Sequence, residues 1–394
     1  MVEEIETLDL RNEIVPSPKA MVLDEKNVNM GDLVFGKNNT REMLGILAQK
    51  KMETKNLGVQ AKKITVKDVN GEMVVEFPDE NGATMATKPN NWAKGQLIRG
   101  SMGNKNYFDD CKEKGPEGLA EYNMNAWLRG KESVQLIRTM DDTMRAFLGN
   151  EYLILDNYDA LAEIATQVGS INAIRKIEGE KPLTIDKGSL SEGFMYVEIL
   201  DPERTYDIGK GKMFSGMMSF SNSDVGGGAA NGNVGFYNWA CSNLHIKDTV
   251  MHKVHRGERL SEQIYGQKIV AKMSKVWIEA IGAGLANVMK NGQLFDVWAE
   301  ELRESKEIKI TNIDTTLKNL TSEAKMSKSE IAALAGMLMG DETIDQEDRG
   351  TGYALVEGLT RVAQKFGVDR EHDLAKFAGS MTADNNKILA KVVA

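Results

Sequence analysis

Apolar and polar residues alternate on both sides of Asn70-Gly71, with Ile64 and Val66 before the pair and Met73, Val75 and Phe77 after it. Such alternation marks strands with one buried face, and an Asn-Gly pair tolerates the positive φ angles of a tight turn. A β-hairpin closed by Pro78 is therefore predicted. Upstream, Thr40 can cap a helix over 39–50 that carries Met43, Leu44 and Ile46-Leu47. Downstream, 133–138 reads as a strand, 141–148 as a short helical turn, and Asp156-Asn157 as the start of a second helix. The run FMYVEIL within 193–201 is a further strand, and 213–222 and 233–246 are two more, flanking Gly226-Gly227-Gly228-Ala229-Ala230. In the second of these, Tyr237, Trp239 and Cys241 fall on one face, expected to be core with Trp277 as a neighbour, and Phe236 and Asn238 on the other. From 261 to 290 the positions Met273, Val276, Trp277, Ala280, Ile281, Leu285 and Val288 follow helical spacing, with Lys268, Lys272 and Lys275 on the opposite side. The remainder is helical in pattern: a capping box at Ser327 and Glu330 with Gly340 as a stop, then helices over 351–366 and 372–379.

These elements predict an α+β fold, with an antiparallel β-sheet and its hairpins packed on a long amphipathic helix and a helical C-terminal region. The implied divisions are an N-terminal extension over 1–60, an α+β core over 61–300 and the helical region over 301–394. A chain of 394 residues exceeds the size at which a single core keeps growing, in keeping with several substructures. No apolar run reaches the roughly 18 residues of a membrane helix, and the acidic start MVEEIETLDL is unlike a secretory signal, so a cytoplasmic address is expected. The net charge of -9 confines any nucleic-acid contact to local basic strips.

One such strip lies in 82–118, whose Gly, Asn and Lys content reads as loop. There Lys88, Lys94, Arg99 and Lys105 are interleaved with Trp92, Tyr107 and Phe108, the mixture that binds single strands by charge and base stacking; a solvated loop anchored by its aromatics is the alternative. Lys253, His255 and Arg256, and the Lys268/Lys272/Lys275 face, are the other candidate phosphate contacts. The glycine turn could approach a backbone closely, although it lacks the following helix of a nucleotide loop.

Candidate chemistry is sparse. Cys241, His245, His252 and His255 carry metal-ligand atoms, but Cys241 and His245 on one strand stand about 13 Å apart, too far for one ion. Cys241 reads as a buried thiol rather than a nucleophile. The charged residues at 138–145 (Arg138, Asp141, Asp142, Arg145) read as fixing a turn. No catalytic set, metal or cofactor is expected, and an enzyme ranks third.

Three blocks carry a family resemblance: SVQLIRTMDDTMRAFLGNEYLILDN from Ser133, MFSGMMSFSNSDVGGGAANGNVGFYNWACSNLHI from Met213 with HRGERL after it, and GTGYALVEGLTRVAQ from Gly350. They resemble the phage/plasmid-like proteins of unknown function, domain of unknown function nine-three-two. Departures are the long Gly/Ala turn and Leu244 where the family commonly has Gly. The resemblance implies a protein of mobile elements acting in DNA replication or recombination, and the element order loosely resembles single-strand annealing proteins. The expected function is therefore single-stranded nucleic-acid binding or annealing, compatible with a homo-oligomer. The alternative is a non-enzymatic structural or interaction factor whose methionines and C-terminal helices form a partner surface.

Overall fold

The computed structural model describes residues 33–35, 39–209, 211–239, 243–256, 292–340 and 347–393. It is an α+β fold with two six-stranded sheets and a helical C-terminal region. The helix expected over 261–290, with Lys268, Lys272, Lys275 and Trp277, lies outside the described residues, as does Cys241.

Sheet A is antiparallel throughout, in the order β1(Leu33–Phe35), β8(Thr184–Leu190), β9(Met195–Asp207), β10(Met213–Asn222), β11(Ala230–Asn238), β12(Asn243–Lys253). Sheet B runs β2(Thr54–Gln60), β6(Val134–Met140), β7(Thr143–Gly149), β5(Thr84–Pro89), β4(Glu72–Pro78), β3(Thr65–Val69), with β5 and β7 parallel. The predicted hairpin is β3–β4, and Asn70 and Gly71 take φ values of 56° and 84° as the turn requires. The exposed edge at β3 is partly closed by Asn125, whose amide accepts from the Val66 N–H and donates to its carbonyl at 2.8 Å each.

Each sheet buries one face under helices. Val197, Ile199, Phe214, Phe220, Val234 and Phe236 of sheet A pack on α1(Thr40–Glu53), α5(Asn157–Glu178) and α6(Gly292–Glu304). Sheet B packs Leu57, Val59, Val75, Phe77, Ile137 and Phe147 against α2(Asn91–Met102), α3(Lys105–Glu113) and α4(Leu119–Arg129). The C-terminal helices α7(Ile313–Glu323), α8(Lys328–Gly340), α9(Gly352–Ala363), α10(Val368–Met381) and α11(Lys387–Val392) share a core of their own around Leu334, Leu355, Leu359 and Leu374. The Ser327–Glu330 capping box opens α8, the two residues exchanging bonds of 2.6 and 3.3 Å.

Several expectations change. The segment 40–60 is no separate extension: α1 contributes Met43 and Leu47 to the sheet A core, and β2 pairs along its whole length with β6. The helical turn expected at 141–148 is strand β7, joined to β6 through Asp141 at φ 51°. The loop expected over 82–118 is β5, α2 and α3. The strand expected over 233–246 is divided, with β11 ending at Asn238 and β12 beginning at Asn243. Tyr237 is buried there, whereas Trp239 is 45% exposed and donates from Nε1 to Ser215 Oγ at 2.6 Å. Among the C-terminal helices, α10 lies across β12 with Ala375 packed on Tyr237, Leu244 and Ile246.

Candidate functional site

The SNSDVG run leaves β10 and enters the space between the two sheets rather than solvent. Ser223 and Val225 are fully buried, and Val225 packs with Leu136, Ala146 and Leu148 on the inner face of sheet B. Trp92 Nε1 and Gln96 Nε2 donate to the Val225 carbonyl at 3.1 and 2.6 Å, and Tyr152 donates its hydroxyl to the Ser223 carbonyl at 2.6 Å. The glycines that follow are not a mobile tip. A Cβ on Gly227 would stand 2.8 Å from the Phe194 ring and 2.9 Å from that of Trp92, so only glycine lets those rings press on the chain.

Two arginines close this junction. Arg138, on β6 and 1% exposed, donates from Nε to Asn56 Oδ1 at 2.9 Å, from one terminal nitrogen to the Asp224 carbonyl and from the other to the Asp156 carboxylate. Arg145 donates to Thr54 Oγ1 at 2.9 Å and to the Asp224 carboxylate at 3.2 Å. Burial alone would raise the Asp224 pKa, but Arg145 and Arg138 outweigh it and hold the carboxyl below its ordinary value. Asp156 sits at the N-cap position of α5 yet makes no cap bond, its carboxylate being turned to Arg138. Burial raises the Tyr152 hydroxyl pKa and lowers those of Lys50 and His255. A carboxylate so fully paired is a poor base and a phenol so buried a poor acid, so the junction acts as a clamp between sheets.

A second charged group holds α10 to sheet A. Lys187 lies 2.7 Å from Glu371 and 3.8 Å from Glu198, Ser191 donates to Asp369 at 2.8 Å, and the His372 ring lies tilted against that of Tyr196 with centroids 4.5 Å apart. Burial, with Glu371 and Asp186 nearby and Lys187 opposing, pushes Glu198 up to about 7. The folded chain thus keeps a proton that the unfolded chain releases above about 4.5, and stability falls as pH rises between these values. His372 acts in the opposite sense: burial lowers its pKa, so stability falls as pH drops below about 6.5. The two slopes offset each other where they overlap. Replacing Glu198 by Gln is expected to raise the melting temperature more at pH 8 than at pH 5; an equal change at both would place the alkaline loss elsewhere.

The cations singled out in the sequence fall in two places. Lys88 on β5, Lys94 and Arg99 on α2 and Lys105 at the start of α3 form one continuous stretch beside sheet B. Lys88 pairs with Glu72, and Lys94 stands 5.9 Å over the Phe108 ring. Lys253 and Arg256 lie elsewhere: Arg256 bridges Tyr152 beyond the far end of β7 and pairs with Glu151 at 3.0 Å. His255 is buried, stacked on Tyr152 at 5.2 Å with Nδ1 3.0 Å from the Leu153 carbonyl, which removes it from the phosphate contacts. His245 is buried 2.8 Å from Glu357, and His252 meets Asn231 at 2.6 Å, so these histidines face separate partners. Among the described residues no group of three or more His, Cys, Asp or Glu is placed to hold a metal, and no helix is long and apolar enough to cross a membrane.

The aromatic content of the first stretch is rearranged. Trp92 and Phe108 turn inward, whereas Tyr107 is 48% exposed. Helix α4 adds Tyr122 at 66% and Trp127 at 58%, two residues the sequence reading passed over. Their signal was the buried spacing Ala120, Met124, Leu128, which turns Tyr122 and Trp127 outward. Asn123, one turn before Trp127, donates to the Tyr107 hydroxyl at 3.1 Å and ties α3 to α4. No family model, curated protein or solved structure matches the chain.

Proposed function

We propose that this protein binds single-stranded nucleic acid without catalysing a reaction, through the outer surface of α2, α3 and α4. The observation that carries the reading is the display of Tyr107, Tyr122 and Trp127 on the same helical layer as Lys94, Arg99 and Lys105. Over 91–132 seven cationic residues face six acidic ones, in a chain whose net charge is -9, so this layer escapes the general repulsion of phosphate. Exposed rings suit unpaired bases, since each stacked base contributes roughly 1–3 kcal/mol whatever its identity. The resemblance to mobile-element proteins agrees with such a role.

Binding is expected to be modest and only moderately salt-dependent. With Lys94, Arg99 and Lys105 as the phosphate contacts, the logarithmic salt slope should be about -2, from roughly 0.7 per phosphate. Titration of a fluorescent thymidine oligonucleotide between low and moderate salt measures it. Trp127→Ala should weaken binding by about 5- to 150-fold, while Lys253→Ala leaves it unchanged. Absence of binding at low salt, or an unaffected Trp127→Ala variant, would refute the proposal.

A further inference from the structure

Between α10 and α11 the consecutive residues Asp384, Asn385 and Asn386 take φ values of 51°, 57° and 59°. Asn and Asp enter the left-handed region more readily than other side chains, but as single residues, because Cβ then crowds the following carbonyl. Three in succession make a strained turn. The side chains of Asp384 and Asn385 are exposed and bond to none of the described residues. Glu301 of α6 holds the turn closed: its carboxylate accepts from the Asn385 N–H at 3.1 Å, and its backbone carbonyl from the Asn386 side-chain amide at 3.0 Å.

Beyond the turn, α11 sits in a groove shaped for it. Leu389 and Val392 are fully buried in the C-terminal core, Lys391 pairs with Glu323 of α7 at 2.6 Å, and Asn319 of α7 donates to the Val392 carbonyl at 3.1 Å. A Cβ on Gly352 would stand 2.6 Å from Leu389 Cδ2, so α9 opens with a glycine where this leucine enters. Glu323, Asn319 and Gly352 all precede the turn, so each of these contacts would be remade unchanged with an α11 arriving from another chain. On the near side Thr382 is bonded to Lys247 at 2.7 Å, which fixes the point where the chain leaves α10.

We infer that α11 is an exchangeable arm: in a two-fold dimer each chain straightens residues 383–386 and seats its α11 in the groove of the second copy. The occupant is fixed by the groove itself, which already fits this helix residue for residue through Leu389, Lys391 and Val392. Straightening relieves left-handed strain in both chains while the contacts of α11 are conserved, the condition under which strained hinges exchange. It gives up the Asn385–Glu301 bond, whereas Asn386 travels with α11 and keeps its own. A relaxed short linker closes on its own groove at an effective concentration in the millimolar range; strain lowers that figure, so the dimer should appear at chain concentrations on the order of 100 μM. The inference does not depend on nucleic-acid binding, because α11 packs in the C-terminal core and not on the α2–α4 layer.

Sedimentation velocity of the full chain over a concentration series measures the dimer. Asn385→Val, which puts a β-branched side chain at positive φ, should lower the dissociation constant about tenfold or more. Asn385→Gly, which relaxes the turn, should raise it severalfold; each effect enters twice because the dimer opens two turns. A zero-length carbodiimide, which condenses a touching ammonium and carboxylate into an amide, identifies the exchange. In an equilibrated mixture of isotopically light and heavy chains, the dimer should yield a Glu323–Lys391 amide joining a light chain to a heavy one, and the monomer the same amide within one chain. A wild type that stays monomeric throughout, a dimer indifferent to both Asn385 substitutions, or a dimer whose Glu323–Lys391 amide remains within each chain would each overturn the inference.

Discussion

Arg138→Met should destabilise the protein by about 3–5 kcal/mol, the usual cost of removing one partner from a buried ion pair. The guanidinium satisfies Asn56, the Asp224 carbonyl and the Asp156 carboxylate together, and its loss leaves the buried Asp156 carboxylate without this partner. Arg138→Lys should recover little, since one ammonium cannot span three acceptors lying in different directions. Arg145→Met should cost less, because Arg145 is 12% exposed and Asp224 would keep Arg138. Urea denaturation of the three variants gives the ranking, and a loss under about 1 kcal/mol for Arg138→Met would refute the clamp. Asp224 adds an acid limit: its depressed pKa contributes stability above the ordinary carboxylate value of 3.8, which disappears as pH falls through the lower folded value.

Gly379→Ala should also be destabilising, against the helix propensity that favours alanine by about 1 kcal/mol. A Cβ there would overlap the carbonyl of Ile246 and stand 2.9 Å from its nitrogen. Backbone on both sides cannot yield as a side chain could, so α10 must lift from β12. Lifting it loosens Ala375 from Tyr237, Leu244 and Ile246 and pulls Thr382 from Lys247, a 2.7 Å bond. Overpacking of this kind costs roughly 1–3 kcal/mol and occasionally more. Gly336→Ala, also within a C-terminal helix but with nothing within 4 Å of the new methyl, should instead stabilise by up to about 1 kcal/mol. Calorimetry of both variants checks the opposite signs, and a stabilised Gly379→Ala would contradict the close crossing.

The β3–β4 hairpin and the capped C-terminal helices were legible because their signals are local. Asn70-Gly71 dictates its own φ angles, and Ser327 and Glu330 are within one turn of each other. The region 82–118 misled for the same reason: its Asn and Gly residues are caps, Asn90 accepting from the Ala93 N–H, Asn104 from that of Asn106, and Gly103 ending α2 at φ 75°. In β7, Met144, Phe147 and Leu148 have helical spacing because both faces of the strand are covered, which removes the usual alternation. The glycine turn looked free in the sequence because Trp92, which immobilises it, lies more than 130 positions away. Of the candidate site, Lys88, Lys94, Arg99 and Lys105 were visible as a run, whereas Tyr122 and Trp127 could be placed outward only through the helical spacing of Ala120, Met124 and Leu128, in a segment whose glycines read as loop.

The strand order has a consequence for the growing chain. β2 finds its partner β6 about 80 residues later, and β1 pairs with β8 about 150 residues later. During synthesis at roughly 5–20 residues per second, the first strands must wait several seconds without their neighbours. The β3–β4 hairpin is complete almost at once, but sheet B cannot close before Gly149 emerges, nor sheet A before Lys253. Slow acquisition of such distant pairings exposes unpaired edges to other nascent chains. A ribosome pausing between β2 and β6 would prolong the time for which β2 has no strand partner.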